Sequence, residues 1–332
     1  MPQIVVDQLA KTYRIAERAP GLGGALRGLW QRRHRAVQAL AGVSFQLERG
    51  ELLGFIGPNG AGKSTAIKIL AGILQPDGGR VTVDGRDPFA DRQAHVGRIG
   101  VVFGQRTQLW WDLPVGEGFD LLRDIYRVQA RRYRTTRDEL VAALQLERVL
   151  DQPVRQLSLG QRMRAEIAAA LLHEPDLLFL DEPTIGLDAP SKLAVRDFVR
   201  RANRERGTTV LLTTHDMHDI EALAERVIVI GHGRVLADSP VAALRTQVMA
   251  ERRLLVDFAE APPAAFAQPG VREIAREGRT LVLGFDPAQV AAPALIARMA
   301  AAHAVEDIRL EGLAIEEVIA RFYALHGAAE GG

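Results

Sequence analysis

Apolar positions along the chain fall into two patterns. Short, nearly continuous runs, bounded by glycine, proline or acid, occur at residues 52–56, 177–180, 208–213 and 227–230. Such runs read as strands buried on both faces. Between them, apolar residues recur at helical spacing: Ile67, Leu70 and Ile73 after Lys63, then Phe119, Leu122, Ile125 and Tyr126, then Leu140 and Leu144. A further helix is expected from about Gly160 to Leu172, and residues 4–6, 43–48, 81–83 and 99–103 add strands. The alternation predicts an α/β fold around a parallel sheet. Residues 115–173 carry only helical signal and read as an inserted subdomain.

After Pro240 the pattern changes. Strands are expected at 253–258, 271–274, 280–285 and 305–310, with helices at 288–302 and 315–325. The expected organisation is therefore an α/β domain over 1–240, with its helical part at about 106–175, and a small α+β domain over 241–332.

Composition narrows the chemistry. Apolar residues make up 47% and charged residues 25%, as in ordinary globular proteins. A formal charge of +1 provides no global field toward nucleic acid. The absence of cysteine excludes disulfides, thiolate catalysis and cysteine-ligated zinc. The first residues do not have the form of a secretory signal, and no stretch approaches the ~20 apolar residues of a membrane span. If the protein works at a membrane, another chain crosses it. Lysine occurs only at positions 11, 63, 68 and 192 against a background of arginine, so a lysine in a phosphate-binding pattern stands out.

Gly57-Pro58-Asn59-Gly60-Ala61-Gly62-Lys63-Ser64 is such a pattern, G-x-x-x-x-G-K-[ST], between a strand and a helix. Its glycines let backbone N–H groups curl around phosphate oxygens, and the helix N-terminus behind them favours negative charge. Lys63 can reach the β- and γ-phosphates and Ser64 can ligand Mg²⁺, with Thr65 next in the helix. The run 177–180 ends in Asp181 and Glu182, at the sheet edge where α/β folds bind ligands. Asp181 can hold Mg²⁺ and Glu182 can polarise an attacking water. Leu157-Ser158-Leu159-Gly160-Gln161 opens a helix and places Ser158 and the Gly160 backbone at another positive helix end.

In this order, the three motifs resemble the ATP-binding-cassette (ABC) ATPases over nearly all of residues 1–240. The pentapeptide is similar to that family's L-S-G-G-Q signature, with Leu159 in place of a glycine. The resemblance implies a P-loop fold with a parallel sheet core, an antiparallel β subdomain and an inserted helical subdomain. It implies that Gln105 senses Mg²⁺ and water, that His215 contacts the γ-phosphate and that Asp188 crosses to a partner subunit. It also implies that Tyr13 stacks on adenine and that Ser158, Gly160 and Gln161 complete the ATP pocket of the other subunit. ATP closes such a pair head to tail and hydrolysis releases it. With one motif set present, a second copy or a paired ATPase subunit supplies the other half.

Two regions bear on the choice within the family. Trp110 and Trp111, in the polar loop 106–114, suit either an apolar groove on a partner or the core of the helical subdomain. The loop is similar to that of viologen- and multidrug-exporter-like ATPases, whose permease is a separate membrane chain. The small C-terminal domain resembles the appended domain of the same group, with dimer contact or regulation as its expected role. The segment 14–38 is basic, with Leu22, Leu26, Leu29 and Trp30 near helical spacing; it suits an amphipathic helix at lipid or permease, or a solvated excursion. The expectation is an ATP-hydrolysing exporter subunit at the cytoplasmic face of the membrane, with no nucleic-acid partner. The alternatives are a soluble superfamily member acting on nucleic acid or the ribosome, and an unrelated P-loop kinase or GTPase. The signature pentapeptide, His215 and the short distance from Lys63 to Ser158 oppose them.

Overall fold

The structure is a computed structural model that describes residues 2–17, 33–104, 106–214, 216–243, 252–260, 262–263, 266, 268–287 and 289–312. Gln105, His215, the segment carrying Leu22–Trp30 and the expected helix at 315–325 lie outside the described residues. The chain divides into two compact units, Met1–Ser239 and Pro240–Gly332.

The first unit opens with two long strands, β1 (Pro2–Glu17) and β2 (Arg33–Glu48). They pair antiparallel along their whole length, from Pro2 opposite Glu48 to Glu17 opposite Arg33. At the edges of the basic segment 14–38, residues 14–17 and 33–38 are the paired ends of a β-ribbon, while Leu22–Trp30, on which the helix-or-excursion alternatives rest, lie outside the described residues. Strand β3 (Leu52–Ile56) follows and leads through the glycine loop into α1 (Lys63–Leu70). Helix α1 ends at Leu70, so Ile73, expected at helical spacing, lies past it, beyond Gly72 with its left-handed φ of 69°. Strand β4 (Gly78–Val83) pairs with β1 only along Ile4–Ala10, so the outer ribbon is two-stranded. The three strands form an antiparallel sheet in the order β2-β1-β4.

Helix α2 (Arg92–Val96) and strand β5 (Ile99–Phe103) lead to three helices, α3 (Val115–Tyr126), α4 (Ala130–Leu144) and α5 (Leu159–Leu171). Phe119, Leu122, Leu140 and Leu144 are buried at the spacings the sequence predicts, joined by Met163, whereas Ile125, expected at the same spacing, is exposed. Strand β6 (Leu177–Asp181), helix α6 (Ala189–Arg206), strand β7 (Thr209–Thr214), helix α7 (Met217–Leu223) and strands β8 (Arg226–Gly231) and β9 (Arg234–Pro240) complete the unit. The main sheet runs β5-β6-β7-β3-β8-β9, and its pairs from β5 to β8 are parallel. Strands β3, β6 and β7 are buried at every residue, as near-continuous apolar runs require. One core cluster joins this sheet to the antiparallel one, with Ile4, Leu40 and Phe45 alongside Phe55, Ile67 and Leu211.

The second unit contains β10 (Arg252–Phe258), β11 (Val271–Glu277), β12 (Thr280–Phe285), α8 (Ala292–Ala302) and β13 (Val305–Gly312). Its antiparallel order, β11-β12-β10-β13, is that of a β-α-β-β-α-β ferredoxin-like sheet. Leu254, Val256, Leu281 and Leu283 pack under Leu295 and Met299 of α8. This unit has its own core.

Candidate active site

The C-terminal ends of the parallel strands converge on one cleft, because each βα turn emerges at that edge. Gly62 caps α1 with φ 108°, and a Cβ there would run into the Ala39 carbonyl of β2. Only glycine lets the loop turn this tightly into the helix. The first-turn N–H groups of α1 are left facing the cleft, a site for anions.

Lys63 is 6% exposed, and its ammonium donates to the loop carbonyls of Gly57 at 2.6 Å and Pro58 at 3.2 Å. Its Nζ lies 3.9 Å from Oε1 of Glu182. Burial lowers the Lys63 pKa, while Glu182 and Asp181 hold it up. The Ser64 hydroxyl donates to Oδ1 of Asp181 at 3.2 Å, and Thr213 of β7 donates to the same oxygen at 2.5 Å. Glu182 takes a left-handed φ of 57°, and its N–H donates to Thr213 O at 3.0 Å. Such backbone costs a non-glycine residue on the order of 1–2 kcal/mol and turns the carboxylate out of the strand direction.

The cleft encloses about 790 Å³, lined among others by Asn59, Gly60, Lys63, Ser64, Asp181 and Glu182. Tyr13 and Val37, partners across the β1–β2 ribbon, line one side. The Tyr13 hydroxyl lies 3.4 Å from that of Thr65. A polar end beside α1 and an aromatic–aliphatic wall suit a phosphate chain and a flat base. Ser64 and Asp181 are hard oxygen donors, and Mg²⁺ takes few protein ligands beside substrate phosphates, so the pair fits that ion. Among the described residues no cluster of three His, Asp or Glu could hold a metal alone.

Ser158, Gly160, Gln161 and Asp188 do not line this cleft. They form a second cluster. Ser158 caps α5 in a capping box, accepting from Gln161 N at 3.2 Å, while its own N–H donates to Gln161 Oε1 at 2.9 Å. Asp188 caps α6 by accepting from Ser191 N at 3.2 Å. A Cβ on Gly160 would collide with the Ser191 hydroxyl. Leu159 stands 36% exposed, and a Cβ on Gly186 would meet its Cδ2. Of the expected site residues, the structure thus unites Tyr13, Asn59, Gly60, Gly62, Lys63, Ser64, Thr65, Asp181 and Glu182, with Gly57 behind Lys63. Gln105 and His215 lie outside the described residues, although their neighbours Gly104 and Arg106 line the cleft.

Several contributors escape a sequence reading. Thr213 and Val37 reach the cleft only through strand pairing, and Lys68 only through helix geometry. Fully buried Asp219 binds Thr184, just past Glu182, Thr214 at 3.2 Å and Arg196 at 2.5 Å, tying the ends of β6 and β7 together. Lys68 offered the clearest sequence signal, as one of four lysines in the chain. Trp110 and Trp111 are 38% and 49% exposed, so the core reading of this pair is set aside.

The ABC transporter family matches residues 40–185. The chain is 38% identical over 222 residues to the daunorubicin resistance ATP-binding protein DrrA3 of Streptomyces coeruleorubidus, which spans 67% of this chain and 70% of that protein. It is 34% identical over 207 residues to the ABC transporter ATP-binding protein NatA of Bacillus subtilis, or 62% of this chain and 84% of that one. A dimeric ATP-binding cassette in a post-hydrolysis state, bound to ADP and Pi, superposes with a TM-score of 0.61 at 28% identity, covering 72% of this chain and 98% of that one.

Proposed function

The chain belongs to the ATP-binding proteins of ABC transporters, and from that premise we propose how its residues divide the work of an exporter's ATPase. The family's activity is ATP hydrolysis, and its ATP-binding subunits dimerise and pair with membrane permeases. No helix among the described residues is long and apolar enough to cross a membrane. In this reading the permease is a separate chain, and the protein is held by it at the cytoplasmic face.

The observation that carries the reading is the preformed cleft, in which Lys63, Ser64, Asp181 and Glu182 face one space at the end of the parallel sheet. Lys63 exchanges the Gly57 and Pro58 carbonyls for β- and γ-phosphate oxygens. Tyr13 and Val37 flank the adenine. Ser64 and Asp181, with Gln105, would hold Mg²⁺, which would neutralise phosphate charge there. Glu182 orients the attacking water and accepts its proton, with His215 at the γ-phosphate. Ser158, Gly160 and Gln161 approach the γ-phosphate of a second copy, and Asp188 crosses at the same interface. The exposed position of that cluster, away from its own cleft, supports a head-to-tail homodimer. Export is supported by the resistance function in the name of DrrA3 and by the tryptophan loop. The C-terminal unit serves dimer contact or regulation.

The test is gentle extraction of the tagged protein from native membranes, identification of what accompanies it, and reconstitution into vesicles. The expected result is an integral membrane protein of several spans and ATP-dependent movement of solute away from the cassette side. Solute movement toward the cassette side overturns export. Recovery with soluble partners or nucleic acid alone overturns transport.

A further inference from the structure

Helix α5 begins at Ser158 and carries a single acid, Glu166, between Ala165 and Ile167. Glu166 is 3% exposed. A carboxylate buried this deeply costs several kcal/mol unless its oxygens are hydrogen-bonded. Here the partners come from one loop. The Thr107 hydroxyl donates to one oxygen and Gln108 N donates to the other at 3.0 Å. The Gln108 side chain donates to the backbone carbonyl of Glu166 at 2.9 Å. Thr107 is itself fixed by Leu109, whose N–H donates to its hydroxyl at 3.1 Å. Leu109 is buried, and Trp110 and Trp111 follow it into solvent. One turn before Glu166 on α5, Arg162 carries its guanidinium 6.0 Å from the Trp111 ring centroid and lends positive charge to the carboxylate.

Residues 107–109 are thus fastened to α5 by the side chain and the main chain of one residue. A rigid helix spans roughly 12 Å from Ser158 to Glu166 at about 1.5 Å per residue. Its N-terminal end carries the Ser158 cluster, and its middle holds the root of the exposed tryptophan pair. The carboxylate is what makes this joint: an apolar residue in its place would leave the Gln108 N–H and the Thr107 hydroxyl without their acceptor and free the loop from the helix.

We propose that Glu166 is a positioning residue that locks the loop 107–111 to helix α5, so that Trp110 and Trp111 move with the signature helix when ATP is bound. The lock deepens the reading of the cleft as an ATP site and of the tryptophans as the partner-facing surface. Breaking it leaves the cleft intact, because neither Glu166 nor Thr107 lines it.

The experiment uses the full chain with Trp30→Phe, which leaves Trp110 and Trp111 as the only tryptophans, and Glu182→Gln to retain ATP. Acrylamide quenching of tryptophan emission is measured with and without ATP, and bound ATP is counted in the same samples with a radioactive nucleotide. In this parent, ATP changes the quenching constant. Adding Glu166→Ala, or Thr107→Val from the loop side, raises quenching without nucleotide and abolishes the ATP-dependent change, while bound ATP is unchanged. Glu166→Gln, which can still accept from Gln108 N and pair with Thr107, restores both. The proposal is overturned if Glu166→Ala and Thr107→Val quench like the parent, or if the parent binds ATP with no change in quenching. A parent that fails to bind ATP overturns the ATP reading instead, and the nucleotide-free comparison still decides the lock. Should Glu166→Ala unfold, Thr107→Val, at an exposed position, supplies the same comparison.

Discussion

In the proposed reading two places in the chain take phosphate, and they are built differently. At the glycine loop, Lys63 is buried, Ser64 and Thr213 both point at Asp181, and Glu182 is held out in a strained backbone conformation. At Ser158 the helix end is exposed, its cap is satisfied by its own Gln161, and the nearby acid, Asp188, is engaged in capping α6. The first can recognise nucleotide and organise water by itself. The second offers a positive helix end away from the cleft, so in the proposed reading it contributes where another surface brings the phosphate. In the proposed reading this asymmetry means that one copy holds one whole half and one dependent half of a reaction site, which a second copy can complete.

The largest expected effect lies at the complete half. Glu182→Gln keeps the shape and removes the base, so steady ATP turnover is expected to fall by at least about 100-fold, the scale of a positioned general base. Bound ATP should persist in the same variant. Turnover near that of the parent would assign the proton acceptor elsewhere in the cleft.

The next effect tests the dependence of the second half. Ser158→Arg puts a long cation where phosphate would approach and removes a cap worth ~1 kcal/mol. Lys63→Ala disables the other half. Each variant alone is expected to turn over ATP at a small fraction of the parent rate. Mixed together, they form dimers in which one site pairs intact Lys63 with intact Ser158, and activity is expected to rise several-fold, on the order of a quarter of the parent. A mixture no more active than the average of its parts would break the head-to-tail arrangement.

Much of this contrast was legible in the sequence. Asp181 and Glu182 sit at the end of one apolar run, and Lys63 follows another across the glycine loop, so both mark the same sheet edge. The Ser158–Gln161 capping box is local, three residues apart, and so is visible as spacing. What was not legible depends on pairing across the chain. The β1–β2 ribbon is broken by register shifts near Val6, Leu9 and Lys11, which scramble its alternation, and its charged ends look like a surface excursion. Glu166 and Thr107 are 59 residues apart, and nothing in either segment announces the other. The tryptophans could be read as core or as surface until their exposure was known, since apolar character alone does not say which neighbour covers it.

That exposure gives a smaller effect on the cassette and a larger one on its coupling. Trp110→Ala with Trp111→Ala removes side chains that lie outside the cleft, so ATPase activity of the protein alone is expected to stay within about twofold of the parent. Stimulation of that activity by the co-extracted membrane partner is expected to be lost. Circular dichroism checks folding, and a double variant that retains full stimulation would remove the tryptophans from the partner surface.

The smallest effect concerns the wall behind the helical subdomain, where neither phosphate site reaches. His173 stacks on Tyr126 at 3.9 Å and donates from Nε2 to the Ile99 carbonyl at 3.0 Å. Its Nδ1 is buried with no partner, and burial pushes its pKa down from 6.5 to about 4. The folded protein therefore keeps this ring neutral while the unfolded chain takes up a proton from about pH 6.5 downward. The unfolded state binds more protons throughout that window, so stability is fully present above pH 6.5 and is lost as pH falls toward 4. The residue is only partly buried, which reduces the loss to about 1–2 kcal/mol. His173→Gln can still donate to Ile99 and does not titrate. Denaturant melts of both proteins at pH 7 and pH 5 measure the difference directly. The variant should lose less stability than the parent on acidification, and equal losses would show that acid attacks the fold through its carboxylates alone, with His173 contributing nothing to the slope.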